Sequence, residues 1–397
     1  MHFHFHHIIS LFCDLSKAFD CVNHDILLNK LANIGIRGIP YQWFHSYLSD
    51  RTQFTSITNP YPTTSAQNFN STETRSSLKS VESGVPQGSI LGPLLFNLYI
   101  NDLPHNNNSA NYILYADDTS IIFSAKDEQS IETKMNSILS STTSWFKNNL
   151  LTLNLDKTNY MCLKPKLGSK NPHPLTNLCN LQCTEETKFL GLTIAPNLSW
   201  NNHILQVINK IKPGIAILFK LRGSLPTYTL LQIYFSLIQS HLSYAILIWG
   251  SSPQKHISKL LKLQKKAVRI IAQKCPRTSC RPLFSHYKIL TVTSLYILEA
   301  SCHAKKALLT NYNTDKNSTI RHVKDIHSHN TRQQNNIYIR NFTSTKRKTN
   351  ISFKSSLIYN NLPEHLKQIN SLKKFRADTK KHLLDKTIYS LQEYQSH

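Results

Sequence analysis

The sequence predicts an α+β protein in which strands and helices mix in the first half and helices prevail in the second. Three observations lead to this class. Short apolar, β-prone runs accompany the acidic residues Asp14 and Asp117-Asp118, as in strands that end at loops. Apolar residues recur at helical spacing from Glu128 to Asn149. From Trp200 onward, helical spacing prevails.

The composition indicates a polyanionic partner. The 397 residues include 46 Lys and Arg against 22 Asp and Glu, a formal net charge of +24. The eight cysteines are scattered, so we expect reduced thiols and an intracellular location, in the nucleus or the cytoplasm. Polar residues interrupt the apolar stretch from Leu230 to Trp249, which predicts a buried helix and no membrane partner.

The first elements alternate between strand and helix. Ile8 to Leu15 is an apolar run that predicts a buried strand delivering the carboxylate of Asp14. Asn23 as N-cap and Gly35 after the last turn predict a helix from about His24 to Asn33. A second helix over Tyr41–Leu48 and a strand over Gln53–Thr58 should follow. Residues 59–77 are rich in Ser, Thr and Asn, which predicts a polar insertion.

A shaped turn follows at residues 84–93, where ten residues hold three glycines and two prolines. We expect a helix from near Pro93 to about Asn101. Gln87 lies within the turn, where its amide could contact a ligand. The same pattern also suits a plain structural loop.

Residues 111–123 place two β-prone runs around Asp117-Asp118, which predicts a β-hairpin with both carboxylates at its turn. Adjacent carboxylates repel each other, and burial would raise their pKa values. A divalent cation would relieve this repulsion, and Mg²⁺ prefers such hard oxygen ligands. A solvated acidic turn is the plainer alternative for a motif this short.

The rest of the first half continues the alternation. After the helix over Glu128–Asn149, residues 151–161 predict a loop and a strand with Lys157 between them. Phe189 to Ile194 predicts a short strand in which Gly191 would let another backbone approach.

In the second half, three stretches with helical spacing, His203–Leu221, Tyr228–Trp249 and Ile257–Ile271, should be broken by prolines at 213, 226 and 253. One helical face repeats basic residues at three- and four-residue steps and could follow a phosphate backbone. These residues are Lys255, Lys259, Lys262, Lys266 and Arg269. The polar, basic stretch after Tyr312 should be partly disordered, with a last helix over Lys373–Leu384.

Taken together, these motifs resemble the reverse transcriptases of non-LTR (LINE-type) retrotransposons, most of all the jockey-type elements. Residues 12–25 resemble the first catalytic motif of the family, and residues 84–93 resemble its template- and dNTP-contacting motif. Residues 115–118 match its Tyr-X-Asp-Asp box, and residues 153–161 and 189–194 resemble the two motifs that follow. Five motifs in the family's order make the resemblance specific.

The resemblance implies a fold and a function. Residues 1–198 would be the palm of a right-handed polymerase, with an insertion at 59–77. Residues 199–312 would be an all-α thumb, and 313–397 a basic C-terminal region that is helical or loose. The partners would be an RNA template, a DNA primer and dNTP. The reaction would be nucleotidyl transfer from the dNTP to the primer 3′-hydroxyl.

The resemblance also implies roles for single residues. Asp14, Asp117 and Asp118 would be catalytic and would hold two Mg²⁺ ions, with Mn²⁺ as a possible substitute. The dNTP and template would meet five residues, with Phe19 as the gate against a 2′-hydroxyl: Phe19, Gln87, Gly88, Tyr115 and Lys157. The primer grip would comprise Phe189, Leu190 and Gly191.

The sequence departs from the family at its start, because only seven residues precede Ile8 where the family has fingers and usually an endonuclease. We therefore expect an N-terminally truncated copy. The alternative function is that of a catalytically inactive, nucleic-acid-binding remnant. The sequence leaves the oligomeric state open.

Overall fold

A computed structural model of the protein describes residues 7–58, 73–163, 181–311, 320–326, 334–339 and 350–396. The chain divides into two compact units, Met1–Leu198 and Ser199–His397. Residues 59–72 of the expected insertion, and much of the stretch expected to be partly disordered, lie outside the described residues. In the described part of the chain, no helix is both long and apolar enough to cross a bilayer.

The first unit mixes strands and helices, and the second is mostly helical, which confirms the predicted α+β class. The elements of the first unit are β1 (His7–Cys13), α1 (His24–Asn33), α2 (Ile39–Leu48), β2 (Thr52–Gln53), β3 (Ser56–Thr58), β4 (Glu73–Arg75), β5 (Lys79–Ser80), α3 (Leu91–Ile100), β6 (Asn111–Tyr115), β7 (Asp118–Ala125), α4 (Glu128–Asn148), β8 (Asn159–Leu163), β9 (Gln182–Cys183), β10 (Thr187–Phe189) and β11 (Leu192–Ile194).

A five-stranded sheet with the order β6-β7-β1-β8-β9 forms the centre of the first unit. The first four strands pair antiparallel, and only the short β9 runs parallel to its neighbour. Ile9, Leu11 and Cys13 of β1 point into a core that they share with α4. Because side chains alternate along a strand, Phe12 and Asp14 belong to the other face.

Local capping sets the ends of the helices. The side chain of Asn23 accepts a hydrogen bond from the backbone N–H of Ile26 at 2.9 Å, and α1 has the predicted bounds. The predicted strand over Gln53–Thr58 is two short strands, β2 and β3. β2 pairs with β5, which follows the expected insertion, and β3 pairs with β4, which lies within its last residues.

Residues 189–194 form a hairpin, so the prediction of one strand there is wrong. β10 and β11 pair antiparallel around a two-residue turn at Leu190 and Gly191. Both turn residues have positive φ, 48° and 72°. Positive φ at both central positions is typical of the tight turns whose twist matches paired strands. Gly191 therefore serves this turn.

The elements of the second unit are α5 (Asn201–Leu221), α6 (Thr227–Tyr234), a π-helical turn (Phe235–Gln239), α7 (Ser240–Ser243), α8 (Ile246–Trp249), α9 (Gln254–Ile271), α10 (Arg281–His286), α11 (Val292–Asn311), α12 (Ile351–Asn360), α13 (Glu364–Lys367), α14 (Leu372–Lys386) and α15 (Leu391–Gln395). α5 packs on α9, and α12 and α14 pack on α11. The described part of the predicted C-terminal region is therefore packed within this unit.

The helices of the second unit differ from the prediction at two places. α5 continues through Pro213, although proline removes a helical hydrogen bond. A Cβ on the next residue, Gly214, would lie 3.0 Å from the side chain of Leu237, so the helix is closely packed at this point. Conversely, the predicted helix over residues 228–249 is interrupted without a proline, where Ala245 adopts a left-handed φ of 49°.

Candidate active site

Two of the predicted catalytic carboxylates leave the sheet side by side. In the antiparallel pairing of β1 with β7, Cys13 lies opposite Thr119. The next positions on these strands are Asp14 and Asp118, which are therefore neighbours across the sheet. Both lie on the face away from the core that β1 shares with α4.

The third carboxylate, Asp117, lies in the turn that joins β6 to β7. Tyr115 pairs with Asp118, so Ala116 and Asp117 form a two-residue hairpin turn. Ala116 has a φ of 51°, and Asp117 is exposed. The side chain of Tyr115 lies on the carboxylate face, and 65% of its surface is exposed. The tight turn thus brings Asp117 next to the two paired carboxylates.

Electrostatic repulsion marks this group of carboxylates. Burial, and then the charges of Asp117 and Asp14, raise the pKa of Asp118 above its usual value. Lys157 offsets part of the charge, with its Nζ 3.6 Å from an oxygen of Asp14. Its side chain is 70% exposed, so the ion pair is weak and free to rearrange.

Within the described residues, no group of three or more His, Cys, Asp or Glu side chains is close enough to hold a metal ion. The carboxylates are nevertheless the oxygen donors that Mg²⁺ prefers, and the charges of Asp117 and Asp14 add to burial in raising the pKa of Asp118. The chemistry of the donor set therefore fits a divalent cation.

Residues just before β8 hold the loop after β1 through hydrogen bonds and a β-bridge. The backbone N–H of Asn154 donates to the carbonyl of Asp14 at 2.8 Å, and the N–H of Asp14 meets Thr158 Oγ1 at 3.4 Å. Leu15 also forms a β-bridge with Leu153. Sequence reasoning missed Thr158, because nothing along the chain shows that it reaches the loop after β1.

The turn at residues 16–22 and the loop at residues 83–92 are joined into one structure, called here the double turn. The N–H of Gly84 donates to the carbonyl of Val22 at 2.7 Å, and the N–H of Val85 donates to the carbonyl of Phe19 at 2.9 Å. Gly84 has a φ of 90°, and a Cβ there would lie 3.0 Å from the backbone of Asp20. Only glycine allows this approach.

Side chains extend the double turn. Gln87 Nε2 donates to Asp20 Oδ1 at 2.8 Å, and a ring nitrogen of His24 lies 2.8 Å from the carbonyl oxygen of Gly84. Gln87 thus shares its amide with the neighbouring turn, and Asp20 orders that turn. His24 was missed, since a histidine in the first turn of a helix carries no signal of a partner so far along the chain. Gly88, with a φ of 83°, lies exposed in the same loop.

The ring of Phe19 packs against α3 on one side. It stacks on Phe96 of α3, with ring centroids 4.6 Å apart and planes 26° apart. Phe19 itself is partly buried. The ring thus has one packed side, while part of its surface remains exposed five positions after Asp14.

The hairpin β10–β11 reaches the carboxylate face of the sheet through its first strand. The rings of Phe189 and Phe12 lie 5.6 Å apart. Phe12 precedes Asp14 by two residues and shares its face of the strand. Of the predicted primer grip, Phe189 therefore packs beside the site, and Leu190 and Gly191 form the turn beyond it.

The comparisons with known proteins agree with this geometry. Residues 4–194 match the model of a protein family described as reverse transcriptase (RNA-dependent DNA polymerase). These residues are similar to members of the reverse transcriptase family. They include the three carboxylates, the double turn and the β10–β11 hairpin.

Curated relatives identify the branch of the family. The chain is 27% identical over 282 residues to a probable RNA-directed DNA polymerase from transposon BS of Drosophila melanogaster, covering 67% of this chain and 29% of the relative. It is 26% identical over 277 residues to the RNA-directed DNA polymerase from mobile element jockey of the same species, covering 66% and 28%. It is 27% identical to the X-element polymerase, covering 66% and 28%. The predicted jockey-like family is confirmed, and the chain spans under a third of these relatives' length.

Among solved structures, apo telomerase from Candida tropicalis is similar over 73% of this chain and 47% of that one, with 15% identity and a TM-score of 0.39. We draw nothing further from a similarity this low.

The predicted basic face lies on α9, beyond the residues that match the reverse transcriptase family model. Four lysines at successive turns are exposed, and the opposite side of α9 is buried. They are Lys255, Lys259, Lys262 and Lys266. Arg269 ends the row and is only partly exposed, because its Nε donates to the carbonyl of Thr278 at 2.8 Å. The four lysines form a continuous cationic stripe.

Proposed function

We propose that the chain carries the polymerase region of a non-LTR retrotransposon and copies an RNA template into DNA. The first unit would be the palm and the helices after Ser199 the thumb, with the basic C-terminal region packed on it. The observation that carries the proposal is the position of Asp14 at the end of β1, where the register with β7 places it next to Asp118 and the Asp117 turn, within residues that match the reverse transcriptase family model. This arrangement supports a site where a nucleotide and a primer end react.

The three carboxylates would hold two divalent cations, Mg²⁺ or Mn²⁺. When bound, these would neutralise charge on the attacking and leaving oxygens of the phosphoryl transfer. Burial, and then the charges of Asp117 and Asp14, raise the pKa of Asp118; a bound cation would offset both effects, which supports this assignment.

The double turn would bind the incoming nucleotide. Phe19, stacked on Phe96, would lie against the sugar and exclude a 2′-hydroxyl. Gln87 and Gly88 would contact the template or nucleotide, with the Gln87 amide oriented by Asp20. Tyr115, exposed on the carboxylate face, would contact the nucleotide as well.

Lys157 would meet the phosphates. Its ammonium lies beside Asp14 at 3.6 Å and is well exposed, so a triphosphate could attract it away from the carboxylate. The hairpin at Phe189, Leu190 and Gly191 would support the primer, and the lysine stripe of α9 would contact the phosphate backbone.

The decisive experiment separates cation binding from catalysis. Titration of the 397-residue chain with Mn²⁺, followed by electron paramagnetic resonance, should show binding that Asp14→Asn and Asp117→Asn weaken. Glu128→Gln, at the exposed start of α4, is the matched control and should leave Mn²⁺ binding unchanged. Equal Mn²⁺ affinity in all variants would contradict the proposed site.

Primer extension then tests synthesis. The chain is assayed on an RNA template with a DNA primer, alone and joined to the upstream region of a jockey-type relative. We expect Mg²⁺-dependent synthesis from the joined protein, and Asp117→Asn should abolish it. Synthesis unaffected by Asp117→Asn would remove the catalytic assignment.

A further inference from the structure

A row of flat side chains lies along α2 and just beyond its C-terminal end. Trp43 and Tyr47 stack with ring centroids 5.5 Å apart and planes 9° apart. The guanidinium of Arg51 lies 5.5 Å from the centre of the Tyr47 ring. Trp43 and Tyr47 are four residues apart and share one side of α2. Arg51 follows the end of the helix and reaches the Tyr47 ring from there. The three residues are called here the α2 column.

The α2 column is open at one end. Trp43 has 53% of its surface exposed, and Ile39, one turn earlier, has 82%. Phe44 meets Trp43 edge-on, with planes at 83°, and so holds the indole upright without covering its face by stacking. A large exposed indole in such a row costs free energy in water, and a partner would recover it.

We propose that the α2 column binds single-stranded nucleic acid by stacking an unpaired base on Trp43. Aromatic rings and arginine planes provide the stacking platforms on which proteins hold single strands. Within Ile39–Leu48 there is no acidic side chain, and Arg37 and Arg51 flank the helix. These charges favour an anionic partner, and the flat stacked rings favour nucleic-acid bases over an acidic peptide. The inference rests on the proposed function only in taking nucleic acid as the partner.

The test compares two labelled oligonucleotides by fluorescence anisotropy with the whole 397-residue chain. One is a short single strand of thymidines, and the other is an abasic strand of equal length and charge. Trp43→Ala should weaken binding of the thymidine strand about 5- to 100-fold. It should change the affinity for the abasic strand by no more than about twofold, because the phosphate contacts remain.

Matched variants separate stacking from charge and from folding. Trp43→Phe keeps a ring and should restore most of the affinity for the thymidine strand. Arg51→Lys keeps the charge but loses the flat guanidinium, so it should weaken binding of the thymidine strand only. Tyr228→Ala removes another exposed aromatic, 68% exposed and outside the α2 column, and should change neither affinity. Circular dichroism checks that each variant is folded.

Three outcomes overturn the inference. Equal losses for both strands in Trp43→Ala would indicate a charge or folding effect. No loss for either strand would exclude base stacking on Trp43. In both cases, retained binding of the abasic strand by the unmodified chain leaves the proposed phosphate contacts intact. If the unmodified chain binds neither strand, the proposal of a nucleic-acid partner is itself wrong.

Discussion

Replacing Gly84 with alanine should break the double turn, and the structure allows its cost to be worked out. Gly84 has a φ of 90°, a region that costs a residue with a Cβ on the order of 1–3 kcal/mol. The added Cβ would also lie 3.0 Å from Asp20 Cα and O and 3.1 Å from the carbonyl oxygen of Phe19. These are backbone atoms that cannot rotate away, and such overpacking costs about 1–3 kcal/mol more. The sum is about 2–6 kcal/mol.

Gly35→Ala is the matched control for this prediction. Gly35 has a φ of 97°, and a Cβ there would meet nothing within 4 Å. Its substitution should therefore cost only the conformational part, about 1–3 kcal/mol. The difference between the two variants measures the steric contact between Gly84 and the turn that carries Phe19.

The assay is urea unfolding followed by circular dichroism, with the free energy of unfolding extrapolated to water. Hydrogen exchange read by mass spectrometry locates the effect. Gly84→Ala should speed exchange in residues 16–24 and 83–92, and Gly35→Ala should not. Equal losses of stability in the two variants, with no local change in exchange, would refute the argument for a double turn.

The remaining predictions concern charge, sugar choice and salt. Because the folded-state pKa of Asp118 is raised, the folded chain holds this proton more tightly than the unfolded chain. The free energy of unfolding therefore falls as pH rises from the unfolded pKa through the folded one, and Asp118→Asn should raise the melting temperature at pH 7 in metal-free buffer, measured by calorimetry. A lower melting temperature would contradict the raised pKa. In primer extension by the joined protein, Phe19→Ala should admit ribonucleotides while dNTP use continues, and Phe19→Tyr should keep the exclusion; unchanged selectivity in Phe19→Ala would reject the gate. Lys262→Ala should weaken nucleic-acid binding about equally for all sequences and lower the salt slope by about 1, whereas affinity independent of salt from about 50 to 200 mM would contradict phosphate contacts by α9.

Short-range chemistry made some elements predictable. The bounds of α1 follow from Asn23, whose side chain caps the first turn, and from Gly35, whose φ of 97° few other residues adopt readily. The tight hairpin at Asp117 also follows from the residues on either side of it. Each of these signals acts within a few positions of the chain, so a reader of the sequence has all the interacting groups in view.

Other expectations were wrong because packing overrode local preference. Pro213 disfavours a helix by itself, yet α5 continues through it beside the close contact of Gly214 with Leu237. Residues 189–194 have the composition of one strand, but they fold back on themselves at Leu190 and Gly191. For α5 the deciding partner is Leu237, on another helical segment. For the hairpin it is the strand Thr187–Phe189, most of which precedes the predicted stretch.

The sequence by itself determined the family, the α+β class and the identity of the acidic and basic residues, since motif order, periodicity and charge are properties of the chain. Only the tertiary structure decided which of them meet. The register of β1 on β7 places Asp14 beside Asp118, and the double turn brings Gln87 to Asp20. The stacking of Phe19 on Phe96 is likewise visible only in the tertiary structure. The physical reason is that strand register and side-chain packing are set by the burial of a whole core, which sums over distant residues and leaves no mark at any one position.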